Sequence, residues 1–232
     1  KNLNDYFFFL LLFFLGSVLM RSAGCIVNDI FDKEFDKKVS RTKNRPIASN
    51  QVSIKLGILY TLILCLLAFL VLINFNKLTI ILALGSMPLA FTYPLMKRFT
   101  YWPQLFLGIT FNYGLILGWT AIQGEINAIS IIFYFGAIFW TLGFDTIYGY
   151  QDLKDDEIIG IKSTSIKFKK NPKLFLIICY IIFVISLILT SVSMRLNSVF
   201  YFFALIPTAH LFFYQVYNFN FKNPKNCLKI FK

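Results

Sequence analysis

Asn28-Asp29-Ile30-Phe31-Asp32-Lys33-Glu34-Phe35-Asp36 closes an apolar run that begins near residue 5, and Asp145 through Glu157 closes another. These two segments hold nine of the chain's eleven acidic residues. A carboxylate in or beside a bilayer costs about 2.5–3.5 kcal/mol on insertion scales, so acids gathered at helix-like spacing call for compensation. Divalent metal carrying phosphate is the compensation that suits rows of oxygen ligands.

The rest of the chain says what solvent surrounds these acids. It is 57% hydrophobic, with 28 Phe among 232 residues, and apolar runs long enough to cross a bilayer recur along it. Spans are expected near 5–28, 52–73, 77–96, 103–122, 126–150, 173–194 and 197–218. Such runs, without period-2 alternation, exclude an outer-membrane barrel. The expected fold is all-α: a polytopic transmembrane helical bundle of about seven spans, forming a single membrane domain over residues 1–232.

A formal net charge of +12 could suggest a nucleic-acid partner, but its distribution decides otherwise. Lys and Arg number seven in residues 32–55, two between the third and fourth spans, six in 151–173 and four in the tail, all on one side. The other side carries only Lys1, Lys77 and Arg195, with Arg21 inside the first span. This alternation is the positive-inside pattern, so both acidic segments face the cytoplasmic side of an integral membrane protein. The partner implied is membrane lipid, with no nucleic acid. Cys25, Cys65 and Cys179 lie in apolar spans and Cys227 in the tail, without C-x-x-C spacing, so neither a disulfide framework nor a zinc site is indicated. His210, the only histidine, is expected to be packed or carbonyl-bonded in the last span.

At ~100° per residue, Asp29, Asp32 and Asp36 fall within about 60° of one another on a helix, with Asn28 alongside and Arg21 two turns back. Like charges so placed repel unless a cation sits over them. Asp145, Tyr148, Asp152 and Asp156, at spacings of three, four and four, repeat the pattern on what reads as one helical face. Solvated helix ends would account for Lys37, Lys38, Lys154 and Glu157, but not for acids falling on one face twice. Two such rows on neighbouring helices can hold a diphosphate through bridging magnesium. Arg41 and Arg45 follow the first row and Lys162 with Ser163 follows the second; arginine bridges phosphate oxygens bidentately. The alternative for these cations is anchorage to anionic lipid, which is the role expected of Lys167, Lys169 and Lys170.

These residues resemble the UbiA-type intramembrane aromatic prenyltransferases. Asn28, Asp29, Asp32 and Asp36 match that family's N-D-x-x-D-x-x-x-D signature, followed by R-T-x-N-R-P at Arg41 to Pro46. Asp145, Tyr148, Asp152 and Asp156 match its D-x-x-Y-x-x-x-D-x-x-x-D element, followed by G-x-K-S at Gly160 to Ser163. The resemblance extends through Tyr93 to Arg98, and Met20 to Cys25, Asp145 to Tyr148 and Gly160 to Thr164 are worded like the branch acting on 4-hydroxybenzoate in ubiquinone synthesis.

The resemblance implies a bacterial inner membrane, or the mitochondrial one in a eukaryote. It implies Mg2+ held by Asp29, Asp32, Asp36, Asp152 and Asp156, with polyprenyl diphosphate as donor. In this scheme Arg41, Arg45 and Lys162 offset the leaving-group charge, and Arg98, beside Lys97, holds the acceptor carboxylate. Tyr148 or Tyr93 faces the allylic cation, and Asn28, Arg21 and Asp145 complete the substrate-binding set. The family also implies nine spans with a cytoplasmic N-terminus. Seven spans put the N-terminus outside, the parity of a chain without the first and last helices. Open alternatives are another branch with a different aromatic acceptor, or a divalent-cation transporter. A transporter would carry its carboxylates nearer the midplane. A phosphatidyltransferase acting on CDP-alcohols would need a D-G-x-x-A-R string, which the chain lacks.

Overall fold

The computed structural model describes residues 3–39 and 41–231; Lys1 and Lys232, which enter the charge pattern, and Ser40 lie outside them. Among the described residues every regular element is helical. Seven segments are long and apolar enough to cross a membrane: Asp5–Asp36, Ile54–Leu72, Lys77–Phe99, Pro103–Gln123, Ala128–Gly149, Pro172–Ser193 and Ser198–Val216. The protein is therefore an all-α integral membrane protein, as its apolar runs predict. Leu10, Phe14, Leu66 and Leu205 on these spans are exposed, as befits surfaces that meet lipid tails as apolar as themselves.

The chain separates into two compact units, Lys1–Leu95 with Leu117–Glu125, and Met96–Ile116 with Ile126–Lys232. In the first, α1 (Leu3–Asp36) is one helix of 34 residues. At 1.5 Å per residue it is about 51 Å long, well beyond a ~30 Å hydrocarbon core, so its last turns carry the acidic row past the apolar stretch. α2 (Ile54–Leu72) packs along it and is capped by Ser53, whose side chain accepts from the Leu56 N–H. Gly57 permits the approach, since a Cβ there would meet Ile26, Ile30 and Ile47 at 3.3–3.4 Å. α3 (Lys77–Thr92) is capped by Asn76, which accepts from the Thr79 N–H at 3.0 Å and donates to the Thr120 carbonyl at 2.8 Å. A 3-10 turn, Tyr93–Leu95, ends this stretch.

The second unit opens with α4 (Met96–Phe99), α5 (Pro103–Phe111) and the first turn of α6 (Tyr113–Gln123), whose remainder from Leu117 counts with the first unit. Then come α7 (Ala128–Gly149), α8 (Leu153–Ile159), α9 (Thr164–Lys167), α10 (Pro172–Ser193), α11 (Ser198–Ala209) and α12 (Pro224–Phe231). α7 is the hub, with α10 and α5 against it. Glycines set these contacts: a Cβ at Gly136 would collide with Ser186, one at Gly143 with the Tyr180 ring, and one at Gly108 would stand 2.9 Å from the Ile138 carbonyl. Small residues matter here because lipid supplies no hydrophobic drive between helices and association rests on close packing.

The fourth span, read from sequence as continuous, is broken at Asn112. Its amide donates to the Gly108 carbonyl (2.8 Å), the Ala137 carbonyl (3.1 Å) and the Thr141 hydroxyl (2.7 Å), tying the break to α7. The last span changes to a π-helical turn, His210–Val216, after Pro207, which lacks an N–H for the helical ladder. His210 is not packed as expected. It is exposed and stacks on Tyr214 at 5.0 Å.

The tail forms α12. Cys227 and Ile230 are buried, and Gln215, which accepts from the Tyr180 hydroxyl at 2.6 Å, donates to the Ile230 carbonyl at 3.4 Å. The Cys227 thiol donates to the Asn220 carbonyl at 3.5 Å, and burial pushes its pKa up to about 11.

Gly143→Ala should lower the thermal midpoint in detergent, because overpacking of this kind costs about 1–3 kcal/mol. Gly118→Ala, whose Cβ meets nothing within 4 Å, should not lower it. Equal midpoints for the two variants would contradict the α7–α10 packing.

Candidate active site

α1 carries Asn28, Asp29, Asp32 and Asp36 on one uninterrupted helix, as their spacing predicts. Asp32 and Asp36 are buried; Asn28 and Asp29 are half-buried. The loop after α1 folds back over this row. Thr42 donates its hydroxyl to the Asp36 carbonyl at 3.2 Å, Ile47 and Ala48 are buried, and Arg45 comes to lie over the carboxylates. A single nitrogen, Arg45 Nη1, donates to Asp29 Oδ1 and to Asp36 Oδ2, both at 3.0 Å. A cation thus stands between the first and last aspartates, answering the repulsion that the sequence poses. Arg41 is exposed in the same loop, and Arg21 is exposed on α1 two turns before Asn28.

The second row departs from the sequence reading. Asp145 and Tyr148 lie on α7, but that helix ends at Gly149, and Asp152 takes the N-cap position of α8, with Asp156 in its first turn. Asp145, Tyr148, Asp152 and Asp156 therefore do not share one continuous helical face. The cause is Tyr150. Its side chain is buried against Phe219 (5.3 Å) and Phe221 (5.8 Å), and the chain turns around it before α8 begins. Asp152 and Asp156 remain one turn apart, with the Asp156 N–H donating to the Asp152 carbonyl at 2.9 Å. Asp155, which the motif does not single out, stands beside Asp156 in the first turn of α8. α8 stops at Gly160, whose φ of 79° needs glycine. The Tyr148 ring packs on Phe231 of α12 at 4.7 Å.

One association was not visible in the sequence. The Lys162 main-chain N–H donates to the Lys97 carbonyl at 2.9 Å, and its Nζ donates to the Phe99 carbonyl at 3.2 Å. The basic element after the second motif is thereby fastened to the segment holding Lys97 and Arg98. Arg98 is exposed there and Lys97 half-buried. No sequence spacing signals a pairing of residues more than 60 positions apart.

The donor chemistry of both rows fits magnesium. Among the described residues no three His, Cys, Asp or Glu side chains converge into a ready-made ion cage. Magnesium does not need one: it binds through one or two carboxylates, keeps waters and completes its shell with substrate phosphate. The Arg45 bridge supports the same fit, since Asp29 and Asp36 already converge on one positive group.

The fold and the site define a polytopic helical membrane protein with paired aspartate-rich motifs. The model of the UbiA prenyltransferase family matches residues 2–232, and the chain belongs to that family. It is 41% identical over 225 residues to a rat protein named 4-hydroxybenzoate polyprenyltransferase, mitochondrial, covering 97% of this chain and 60% of that one. The human protein of the same name is 42% identical over 221 residues, covering 95% and 59%. The chain thus spans about 60% of the length of these curated relatives. Among solved structures, the fold matches the apo structure of a UbiA homolog from Aeropyrum pernix K1 with a TM-score of 0.79 at 20% identity, covering 99% of this chain and 89% of that one. It also matches a UbiA homolog from Archaeoglobus fulgidus bound to DMAPP and Mg2+, with a TM-score of 0.71 at 16% identity, covering 95% and 83%.

Arg45→Gln removes a positive group shared by Asp29 and Asp36. In EDTA the variant should melt below the parent, and millimolar magnesium should narrow that gap by supplying another cation. A gap unchanged by magnesium would show that the two carboxylates do not take the metal.

Proposed function

We propose that this chain carries the prenyl-transfer site of a 4-hydroxybenzoate polyprenyltransferase, joining a polyprenyl group to the ring carbon ortho to the hydroxyl. One observation carries the acceptor assignment: the identity of 41% over 225 residues to a protein named for that reaction. The bridged carboxylates of α1 support the diphosphate side, because they already attract a cation into a poorly hydrated place. The site belongs on the basic, cytoplasmic-type face of a bacterial or mitochondrial inner membrane.

In this reading Asp29, Asp32, Asp36, Asp152 and Asp156 are the magnesium ligands, joined by Asn28 and Asp145 in the polar surroundings of the donor. Bound magnesium would neutralise the diphosphate and make it a better leaving group. Arg41, Arg45 and Lys162 pair with diphosphate oxygens, and Arg21 adds positive charge on α1. When the allylic C–O bond breaks, its electron pair leaves with the diphosphate. Arg98, aided by Lys97, holds the acceptor carboxylate so that the ring carbon bonds the allylic carbon; that ring carbon then gives its proton to the released diphosphate, which restores aromaticity. The face of Tyr148, or of Tyr93, stabilises positive charge on the allyl group. Apolar walls exclude water, which would otherwise capture the cation.

The test is mass-spectrometric detection of 3-polyprenyl-4-hydroxybenzoate in membranes expressing the full coding sequence. Asp32→Asn and Asp152→Asn should each abolish product while leaving membrane insertion intact. Retention of more than about a tenth of parental turnover, a barrier change of only ~1.4 kcal/mol, would remove that residue from the ligand set. Arg98→Ala should raise the acceptor KM with a smaller effect on the donor KM. The opposite split would move Arg98 to the diphosphate side.

A further inference from the structure

The segment Lys162–Ser165 is held from both sides by buried polar contacts that neither acidic motif supplies. Gln104, in the first turn of α5, is buried, and its Oε1 accepts from the Thr164 N–H at 3.0 Å. Thr164 is the first residue of α9, so this N–H has no partner within its own helix. Ser163 accepts from the Ile166 N–H at 3.3 Å, and Gln104 serves the donor that Ser163 leaves.

A second clasp joins the segment to α7. The Thr146 hydroxyl donates to the Leu142 carbonyl at 2.6 Å, which uses its one proton, so the 2.6 Å contact between the Thr146 and Thr164 hydroxyls is donated by Thr164. The Ser165 hydroxyl donates to the Thr146 carbonyl at 2.9 Å. Thr146, Thr164 and Ser165 are almost fully buried. Gly149 makes the approach possible, since a Cβ there would stand 2.5 Å from Ser165 Oγ and 3.3 Å from Gln104 Nε2.

With the Lys162 bonds to the Lys97 and Phe99 carbonyls, these contacts form one seam that brackets Arg98. The Lys162 bonds fall on Lys97 and Phe99, the two residues that flank Arg98, and six residues beyond Arg98 Gln104 makes the next attachment. We infer that Gln104 is a positioning residue which, through this seam, sets the diphosphate-side Lys162 and the acceptor-side Arg98 as one unit, so that loss of the seam weakens both substrates together. The inference rests on the prenyl-transfer reading for the identity of the two substrates, but the seam itself is independent of that reading.

The experiment compares the full-length parent with Gln104→Met, which keeps size and removes the acceptor, and with Gly149→Ala, alone and combined with Ser165→Ala. Steady-state kinetics against each substrate are paired with amide hydrogen exchange over residues 162–165. Gln104→Met and Gly149→Ala should each raise both KM values by about five- to tenfold, the scale of one lost hydrogen bond, with kcat within about twofold. Exchange at the Thr164 amide should accelerate in Gln104→Met. Adding Ser165→Ala to Gly149→Ala relieves the clash but also removes the bond to the Thr146 carbonyl, so both KM values should stay raised together in the double variant. If Gln104→Met fails to fold, the Gly149 and Ser165 pair carries the test.

Unchanged KM values with reduced kcat or melting temperature would make Gln104 a packing residue and overturn the inference, as would a rise confined to one substrate. A parent that forms no prenylated product would defeat the functional reading instead. In that case unchanged exchange over 162–165 in Gln104→Met would overturn the seam, and accelerated exchange would uphold it.

Discussion

The repulsion among Asp29, Asp32 and Asp36 at the end of an apolar helix is the constraint from which much of the first unit follows. Carboxylates at this spacing, half or fully buried, are tolerable only with positive charge nearby. The chain provides it by folding residues 41–48 back over α1, with Ile47 and Ala48 buried beneath and Arg45 bridging the row. Removing one partner of such a pair costs more than the pair contributes, because the remaining charge stays in a poorly hydrated place. A loop that could have been a mobile connector is therefore pinned. The same demand for positive charge suits the row to the proposed metal–phosphate ligand.

The second unit solves a related problem with neutral groups. Where α5, α7 and α9 meet, backbone polar atoms lie out of reach of water, and each unsatisfied one would carry a substantial penalty. Gln104, Asn112 and Ser165 meet that need by bonding backbone groups on neighbouring helices, while Thr146 bonds the Leu142 carbonyl of its own helix and the Thr164 hydroxyl. Their glycine neighbours let the helices come close enough for these bonds to form. Packing and polar satisfaction are thus one design, and a side chain added at Gly149 disturbs both. Lys162, and the segment that carries Arg98, are mounted on this neutral framework.

Much of the fold and of the candidate site was legible in the sequence because each depends on local periodicity. Seven spans follow from apolar run length, which bilayer thickness fixes. The one-face placement of Asp29, Asp32 and Asp36 follows from 3.6 residues per turn, and α1 realises it without interruption. The same rule failed for the second row. Periodicity assumes an unbroken helix, and the buried Tyr150, held by Phe219 and Phe221 from a distant segment, turns the chain between Gly149 and Leu153. Likewise α12 carries too few residues to announce itself, and its helicity depends on burying Cys227 and Ile230 against other elements.

By itself, then, the sequence determined the solvent, the class of fold, the number of spans and which residues bear charge, since those are properties of composition and spacing. Only the tertiary structure decided which of them meet: Arg45 with Asp29 and Asp36, Lys162 with Lys97 and Phe99, Gln104 with Thr164. The reason is physical. These partners are joined by hydrogen bonds of about 3 Å between side chains and backbone atoms, and no period along the chain encodes so short a meeting between segments that pack only after folding.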